Sequence, residues 1–375
     1  MEINAKPVAD AAKTPDRFVL SIDKILDEAR VLGCSDVHFT TKIAPIVRLN
    51  GSLRKLSSYP DMNEPAIMKV VEQMTSGRNI ENIKNKIDTD FSYVTKRGYR
   101  HRVNVYHQRG DTAIAIRLLR NDIPNLEDLN MPPILAEFST KPRGLILVTG
   151  PTGSGKSTTL AAMINYINIT RSAHIITIED PIEYLHEHKR CMVNQREVGD
   201  DVESFAMSLR AALREDPDVI LVGEMRDFET INAAITAAET GHLVMSTLHT
   251  TCASDTINRI IDVFPSHQQG QIRTQLATVL VGIIAQTLIP TADGKGRIAA
   301  LEILNATDAI KAMVRDNKVH LIQSAIQTGK KEGMVCLDQE LARMCREGII
   351  TEAHALEKAQ DIAEFERYFK SGLKF

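Results

Sequence analysis

A glycine-rich segment between an apolar run and a helical pattern limits the folds that this 375-residue chain can adopt. The segment GPTGSGKST, residues 150–158, follows the apolar stretch GLILVT and precedes TTLAAMINYIN. It fits the pattern G-x-x-x-x-G-K-S/T, with Gly150, Gly155, Lys156 and Ser157 in the fixed positions. Backbone N–H groups of such a loop, and the helix that follows it, bind phosphate. The pattern therefore predicts a phosphate-binding loop at the edge of a sheet.

The loop implies ATP and Mg²⁺ as ligands. We expect Lys156 to neutralise the β- and γ-phosphates, and the hydroxyl of Ser157 to ligate Mg²⁺. The other side chains and backbone groups of the loop are expected to surround the phosphates. The predicted nucleotide-binding residues are Gly150, Thr152, Gly153, Ser154, Gly155, Lys156, Ser157 and Thr158.

Carboxylates follow two of the apolar strands that the sequence predicts after Gly144. The strands HIITIED (174–180), DVILVGEM (218–225) and HLVMSTLH (242–249) alternate with helical segments, which is typical of a buried parallel sheet with crossover helices. Ligands gather at the carboxyl ends of such strands, so Glu179 and Glu224 are expected to lie beside the phosphate loop. We assign Glu179 to the attacking water and Glu224 to Mg²⁺, and the reverse assignment stays open.

Two histidines flank the third strand. His249 follows its carboxyl end, so it is expected to reach the γ-phosphate or the attacking water. His242 precedes the strand, after Gly241, and is expected to be a structural hydrogen-bonding residue because it lies at the opposite edge of the sheet. Of these two histidines, only His249 is therefore a candidate catalytic residue.

The rest of the chain predicts further regions around this α/β core. A helical face of Ile22, Ile25, Leu26 and Ala29, followed by antiparallel strands, predicts a small α+β domain. Asn50-Gly51 is a hairpin signal within it. The predicted regions are a disordered tail (1–17), an α+β domain (18–119), a linker (120–143), an α/β nucleotide-binding domain (144–305) and a helical C-terminal region (306–375).

Composition narrows the class of protein. A net charge of −3 and the absence of tryptophan disfavour a nucleic-acid translocase, which needs basic grooves and stacking side chains. The five cysteines form no C-x-x-C pair, so a disulfide framework is not expected and a reducing cytoplasm is the natural compartment. The longest aliphatic stretch, LATVLVGIIAQTLIP, is too short to span a bilayer, so no transmembrane segment is expected.

Four motifs together resemble those of the type II/type IV secretion ATPases. GPTGSGKSTT resembles the Walker A motif, TIEDPIE the Asp-box, DPDVILVGEMRD the Walker B motif and TGHLVMSTLHT the His-box. The resemblance covers nearly the whole chain from about residue 18. It implies a RecA-like P-loop motor domain, a PAS-like N-terminal domain and a homohexamer with ATP between subunits.

Within that family the chain is most similar to the PilT-like retraction ATPases of type IV pili. The small α+β domain is expected to precede the motor directly, without the extra N-terminal domain typical of the extension and secretion members. The cysteines do not form the four-cysteine zinc motif of those members, and AIKAMVRDNK (309–318) resembles the subgroup's AIRNLIRE helix. Lys311 and Ala312 depart from that helix, which keeps a PilU-like accessory role open. A pilus extension or secretion ATPase is the other alternative, because the chemistry of the sheet is the same for both directions of work. The resemblance implies pilus retraction and twitching motility through an inner-membrane platform protein, at the cytoplasmic face of the membrane.

The resemblance also implies two arginines that contact the phosphates from the N-terminal domain. Arg102 and Arg117 have the expected spacing of fifteen positions and both lie on predicted strands. Ordinary surface arginines remain the alternative for each. Arg210 and Arg214 share one helical face; they are expected to brace the Asp-box, to line a subunit interface or to pair with nearby acids.

Overall fold

Two units divide the chain in the computed structural model, residues 1–120 and residues 121–375. The structure describes residues 20–49, 51–119 and 122–371. The predicted disordered tail, residues 1–17, lies outside the described residues. Within the described part of the chain, no helix is long and apolar enough to cross a membrane.

The first unit is an antiparallel sheet packed against helices. Its strands are β1 (Asp36–Phe39), β2 (Ile46–Leu49), β3 (Ser52–Lys55), β4 (Thr89–Val94), β5 (Arg100–Gln108) and β6 (Asp111–Leu118). They lie in the order β3-β2-β1-β6-β5-β4. The helices are α1 (Ile22–Val31), α2 (Glu64–Met74) and α3 (Gly77–Lys84).

The sequence patterns explain these elements. The predicted apolar face of α1 is buried at Ile22, Ile25, Leu26 and Ala29, and it joins a core formed with one face of the sheet. The hairpin signal is confirmed, because β2 and β3 pair antiparallel and Gly51 has a positive φ of 81°. The sequence did not predict α3.

A seven-stranded sheet forms the second unit. Its strands are β7 (Gly144–Thr149), β8 (His174–Glu179), β9 (Met192–Glu197), β10 (Val219–Val222), β11 (Leu243–Leu248), β12 (Leu280–Pro290) and β13 (Arg297–Asn305). The order is β13-β12-β7-β11-β10-β8-β9. Six strands are parallel to their neighbours and only β13 is antiparallel, so the predicted parallel sheet is confirmed and extended by three strands.

Helices cover both faces of this sheet. They are α4 (Ile134–Ser139), α5 (Lys156–Thr170), α6 (Phe205–Ala212), α7 (Phe228–Glu239), α8 (Ala253–Asp262) and α9 (Gln269–Val279). Leu145 and Leu147 of β7 point into the core on the α7 side, whereas Ile146 and Val148 point into the core on the α5 side. Burial on both faces explains why the strands are continuously apolar.

The segment predicted as a linker, residues 120–143, is largely part of the second unit. Within it, Leu126, Leu135 and Phe138 are almost completely buried and pack into the core beside α5. Proline-rich composition suggested a linker, but the apolar side chains of α4 need burial and find it against the sheet. Residues from Leu126 onward therefore belong to the folded second unit.

The C-terminal region is helical from α10 onward. It consists of α10 (Asp308–Arg315), α11 (Ile322–Thr328), α12 (Leu337–Arg346), α13 (Glu352–Leu356) and α14 (Ile362–Ser371), with short 3₁₀ helices at Val319–Leu321 and Lys330–Glu332. Leu341 and Phe365 lie in a separate apolar cluster that also contains Ile289 of β12 and Ala300 of β13. Helices α12 to α14 thus pack on the β12–β13 edge of the sheet, whereas Ile310 of α10 and Ile322 of α11 are buried in the core on the α7 side.

Gly282 is required where α4 meets β12. A Cβ atom at this position would lie 2.4 Å from Cε2 of Phe138, which is buried. We expect Gly282→Ala to destabilise the protein by about 1–3 kcal/mol, because an overpacked core must shift its backbone or side chains. Thermal denaturation checks this. Gly270→Ala in α9 is the control, since its Cβ meets no atom within 4 Å. Equal melting temperatures for the two variants would contradict the expected steric conflict.

Candidate functional site

The glycines of the phosphate loop are required by its backbone. Gly150, Gly153 and Gly155 have φ values of 142°, 78° and 91°. A Cβ at Gly150 would lie 2.2 Å from the carbonyl oxygen of Gln286, and one at Gly155 would lie 2.8 Å from its Nε2 atom. The loop therefore passes against β12 so closely that only glycine fits at these two positions.

Gln286 fixes the loop from β12. Its Oε1 accepts a hydrogen bond from Thr159 Oγ1 at 2.8 Å, and its Nε2 donates to the carbonyl oxygen of Ser154 at 2.7 Å. The residue is buried, so both bonds are shielded from water. The loop is thus tied to the sheet by one side-chain amide, which the sequence did not predict.

Lys156 begins α5 and lies over the loop. Its Nζ donates to the carbonyl oxygens of Gly150 at 2.8 Å and Pro151 at 3.1 Å. Burial lowers the pKa of the Lys156 ammonium, and the carboxylates of Glu224 and Glu183 oppose that shift. The ammonium is therefore held beside the loop in the field of two carboxylates.

The loop has the features that a nucleotide phosphate requires. Glycine backbone at positive φ precedes the N-terminus of α5, where N–H groups and the helix dipole favour an anion. Ser154 Oγ is buried and, in the part of the chain that the structure describes, has no hydrogen-bond partner. The remaining predicted contacts, Thr152, Ser157 and Thr158, lie in the same loop and first turn, and Thr158 Oγ1 is 2.8 Å from the hydroxyl of Tyr184.

Glu179 is the last residue of β8 and is held by several donors. Its Oε1 accepts hydrogen bonds from Thr177 Oγ1 at 2.6 Å and from Gln195 Nε2 at 3.2 Å. Part of the residue remains accessible, but its carboxyl is enclosed by protein atoms. Burial raises the pKa of Glu179 to about 7, against the effect of these hydrogen bonds. The group can therefore gain or lose a proton near neutral pH.

A cavity of about 30 Å³ adjoins Glu179. It is lined by residues with polar side chains and by apolar ones: Ser157, Glu179, Tyr184, His186, Thr247, Leu160, Ala161, Leu221 and Gly223. A water molecule needs about 10–15 Å³ and two or more polar partners, so the cavity has room for two. It lies between the first turn of α5 and the ends of β8, β10 and β11.

Glu224 and His249 meet at the same edge of the sheet. His249 Nε2 lies 3.4 Å from Glu224 Oε2, and Arg226 Nε lies 2.7 Å from Glu224 Oε1. The residues follow β10 and β11, which pair in parallel with each other and with β8 and β7. The structure thus brings Glu179, Glu224 and His249 to one edge, as the strand pattern predicts.

His242 is a structural hydrogen-bonding residue at the opposite edge. Its Nδ1 lies 2.9 Å from the carbonyl oxygen of Ala237 and 3.2 Å from Thr240 Oγ1, so it closes the end of α7. The two histidines thus lie at the opposite edges that their positions on the strand predict, and the role of His249 toward a nucleotide stays a prediction.

The predicted arginine pair lies on the exposed face of the first unit's sheet. Arg102 of β5 and Arg117 of β6 are directly opposite each other. Arg117 Nε is 3.2 Å from Asp36 Oδ1, and Arg102 Nε is 3.8 Å from Asp90 Oδ1. Both side chains remain about half exposed or more, at 46% for Arg102 and 66% for Arg117. Their role toward a nucleotide stays a prediction.

Arg210 has a partner that the sequence did not suggest. It pairs with Glu229 of α7 at 3.6 Å, while Arg214 donates to the carbonyl oxygen of Arg210. Glu215, an acid close to these arginines in the sequence, instead pairs with Arg196 at 2.8 Å.

Fold and site together define a class of protein. A parallel sheet with a G-x-x-x-x-G-K-S loop after its interior strand β7, and carboxylates at the ends of β8 and β10, is a P-loop nucleotide-binding domain of the RecA-like kind. Residues 13–356 match the family model described as type II/IV secretion system protein. The chain belongs to this family.

Relatives and solved structures resemble the chain over most of its length. The type IV pilus retraction ATPase PilT of Pseudomonas aeruginosa is 44% identical over 341 residues, which cover 91% of this chain and 98% of that protein. The type IV pilus ATPase PilU of the same organism is 37% identical and covers 94% of this chain and 92% of that protein. A crystal structure of the pilus retraction motor PilT with bound ADP superposes with a TM-score of 0.88, at 47% identity, covering 93% of this chain and 99% of that chain.

We expect Gln286→Ala to weaken nucleotide binding by about tenfold, because two hydrogen bonds that hold the loop are lost and buried groups are left unpaired. Titration with a fluorescent ADP analogue measures the affinity. Thr287→Ala, the next residue on β12, is the matched control. If Gln286→Ala binds the analogue as tightly as Thr287→Ala, the loop does not depend on the amide.

Proposed function

We propose that this chain is an ATPase motor that drives retraction of type IV pili. The arrangement of Lys156, Glu179 and Glu224 around the phosphate loop supports the ATPase activity. Relatives that span almost the whole chain, named as a retraction ATPase and as a pilus ATPase, support the pilus role. The supporting observation is the cavity at Glu179, beside the loop that would hold the phosphates.

The residues at the sheet edge have separate roles in hydrolysis. A water oxygen attacks the γ-phosphorus, the bond to the bridging oxygen breaks, and ADP and phosphate result. Glu179 orients this water in the cavity and accepts its proton, for which a pKa of about 7 is suited. Lys156 neutralises charge on the β- and γ-phosphates. His249, beside Glu224, contacts the γ-phosphate when ATP is bound and loses that contact after hydrolysis.

Mg²⁺ would be held by Ser157 and Glu224. Hydroxyl and carboxylate oxygens are the donors that this ion takes, usually with water and phosphate oxygens completing its shell. When bound it neutralises negative charge on the phosphates. Glu224 already lies near Lys156, as its influence on the Lys156 pKa indicates, so the carboxylate lies beside the loop.

Mechanical work needs a second body, which we propose to be the N-terminal unit. In a homohexamer, Arg102 and Arg117 would contact phosphates at a subunit boundary, and loss of the γ-phosphate would release them. The partner would be an inner-membrane platform protein of the pilus machinery, and the motor would work at the cytoplasmic face of the membrane.

Hydrolysis should depend on both carboxylates and on pH. We expect Glu179→Gln and Glu224→Gln to bind ATP but to lose at least about a hundredfold in kcat, because each removes a charged group that acts in the transition state.

Wild-type kcat should fall as the pH drops below about 7, since the acting form of Glu179 is the carboxylate. Phosphate release from pH 6 to 9 measures both effects.

Controls separate these roles from general damage. Lys156→Ala should neither bind nor hydrolyse ATP. His242→Ala should lower the melting temperature and leave kcat nearly unchanged. His249→Ala should lower kcat and leave the melting temperature nearly unchanged. Full hydrolysis by both carboxylate variants would contradict the site assignment.

Deletion of the gene tests the direction of work. We expect surface pili to accumulate and twitching motility to be lost, because assembled pili would no longer be disassembled. Complementation with the wild-type gene should restore motility, and the Lys156→Ala gene should not. Cells without surface pili would instead indicate an extension motor.

A PilU-like accessory role is the second candidate. Lys311 and Ala312 on α10 depart from the helix of the retraction subgroup, and the PilU relative spans the chain at 37% identity. Motility that persists in the deletion strain, with reduced retraction force, would favour this role. Strong stimulation of the ATPase by DNA would instead favour a nucleic-acid translocase.

A further inference from the structure

Gln195 lies where it can control the carboxylate that faces the cavity. It belongs to β9, the edge strand of the sheet, and lies directly beside Thr177 of β8. Thr177 and Gln195 both donate to one oxygen of Glu179, at 2.6 Å and 3.2 Å. The backbone N–H of Glu183 is a further donor to the carboxyl.

The amide of Gln195 is itself fixed by the loop that follows Glu179. Its Nε2 also donates to the carbonyl oxygen of Tyr184 at 2.8 Å, and its Oε1 accepts from the backbone N–H of His186 at 2.7 Å. A carbonyl can only accept and an N–H can only donate, so these two contacts determine which end of the amide faces Glu179. The donor to Glu179 is therefore held in place.

This loop is in turn attached to the phosphate-loop helix. Tyr184 OH lies 2.8 Å from Thr158 Oγ1, and Asn168 of α5 donates to the carbonyl oxygen of Glu187 at 2.7 Å. On the other side, the backbone N–H of Ile182 donates to Glu197 Oε2 of β9 at 3.0 Å. Gln195 thus joins α5, the loop and Glu179 in one hydrogen-bonded frame.

We propose that Gln195 is a positioning residue for Glu179, which holds the Glu179 carboxylate toward the cavity and stabilises its ionised form. The proposal rests on the proposed ATPase function, in which Glu179 orients the attacking water. Gln195 does not line the cavity and acts through Glu179. Without its N–H, the carboxylate would lose one of its two side-chain donors and could rotate.

Other titratable groups lie around Glu179. The charge of Glu183 raises the Glu179 pKa, and Glu197 lies beside Glu179 on β9, where its Oε2 accepts from the backbone N–H of Ile182. His186 lines the same cavity, and burial lowers its pKa to about 4, so its imidazole is neutral at the pH of the assay. Tyr184 also lines the cavity, and its hydroxyl lies 2.8 Å from Thr158 Oγ1 of α5. The donors are therefore the main stabilisation of the carboxylate against burial.

The test compares pH profiles of ATP hydrolysis. Gln195→Met keeps the length of the side chain and removes its N–H, so the Glu179 pKa should rise by about one unit. The acid limb of the kcat profile should move to higher pH by the same amount. At pH 7 kcat should fall about fivefold, and at pH 9 it should recover toward wild type. The KM for ATP should stay unchanged. Asn194→Ala is the matched control, because this exposed neighbour on β9 contacts His174 instead.

Two outcomes would overturn the proposal: an unchanged profile, or a loss of kcat that is equal at every pH. Thr177→Val removes the other donor and should shift the profile in the same direction, so it provides the test if Gln195→Met fails to fold. Glu179→Gln is measured alongside. If Glu179→Gln is inactive and Gln195→Met is normal, only this inference fails. If Glu179→Gln remains active, the proposed function of Glu179 fails.

Discussion

Parallel alignment of β7, β8, β10 and β11 is the constraint on which the site depends. Because these strands run in the same direction and pair without a register break, everything that follows their last residues meets at one edge of the sheet. Up to about a hundred residues of sequence separate the phosphate loop, Glu179, Glu224 and His249. The parallel alignment of the strands alone is sufficient to bring them to one edge. The apolar interior that keeps the strands aligned also encloses the Glu179 carboxyl and raises its pKa.

The sequence allows this part of the protein to be predicted because the signals are local. A strand buried on both faces must be continuously apolar, so its end is visible in the sequence, and the residues just after it can be assigned to the edge. The glycine pattern of the loop is equally local, since positive φ values at Gly153 and Gly155 exclude most other residues. His249 and His242 could be told apart for the same reason.

The features that were missed depend on contacts distant in sequence. Gln286 is one polar residue in an aliphatic run, and only the pairing of β12 with β7 brings it to the phosphate loop. Gln195 lies on an edge strand whose mixed residues, MVNQRE, carry no clear periodicity. The helix α4 was not predicted, because the prolines around it indicated a linker. In each case tertiary packing decided what the local pattern left open.

The contacts of Lys156 with the carbonyl oxygens of Gly150 and Pro151 have a consequence for nucleotide exchange. In the proposed function, a phosphate that enters the loop would replace these oxygens as the partner of the ammonium, and the ammonium would return to them when the phosphate leaves. The positive charge of Lys156 would then have oxygen partners both with and without nucleotide. Nucleotide exchange would therefore replace one set of oxygen partners by another.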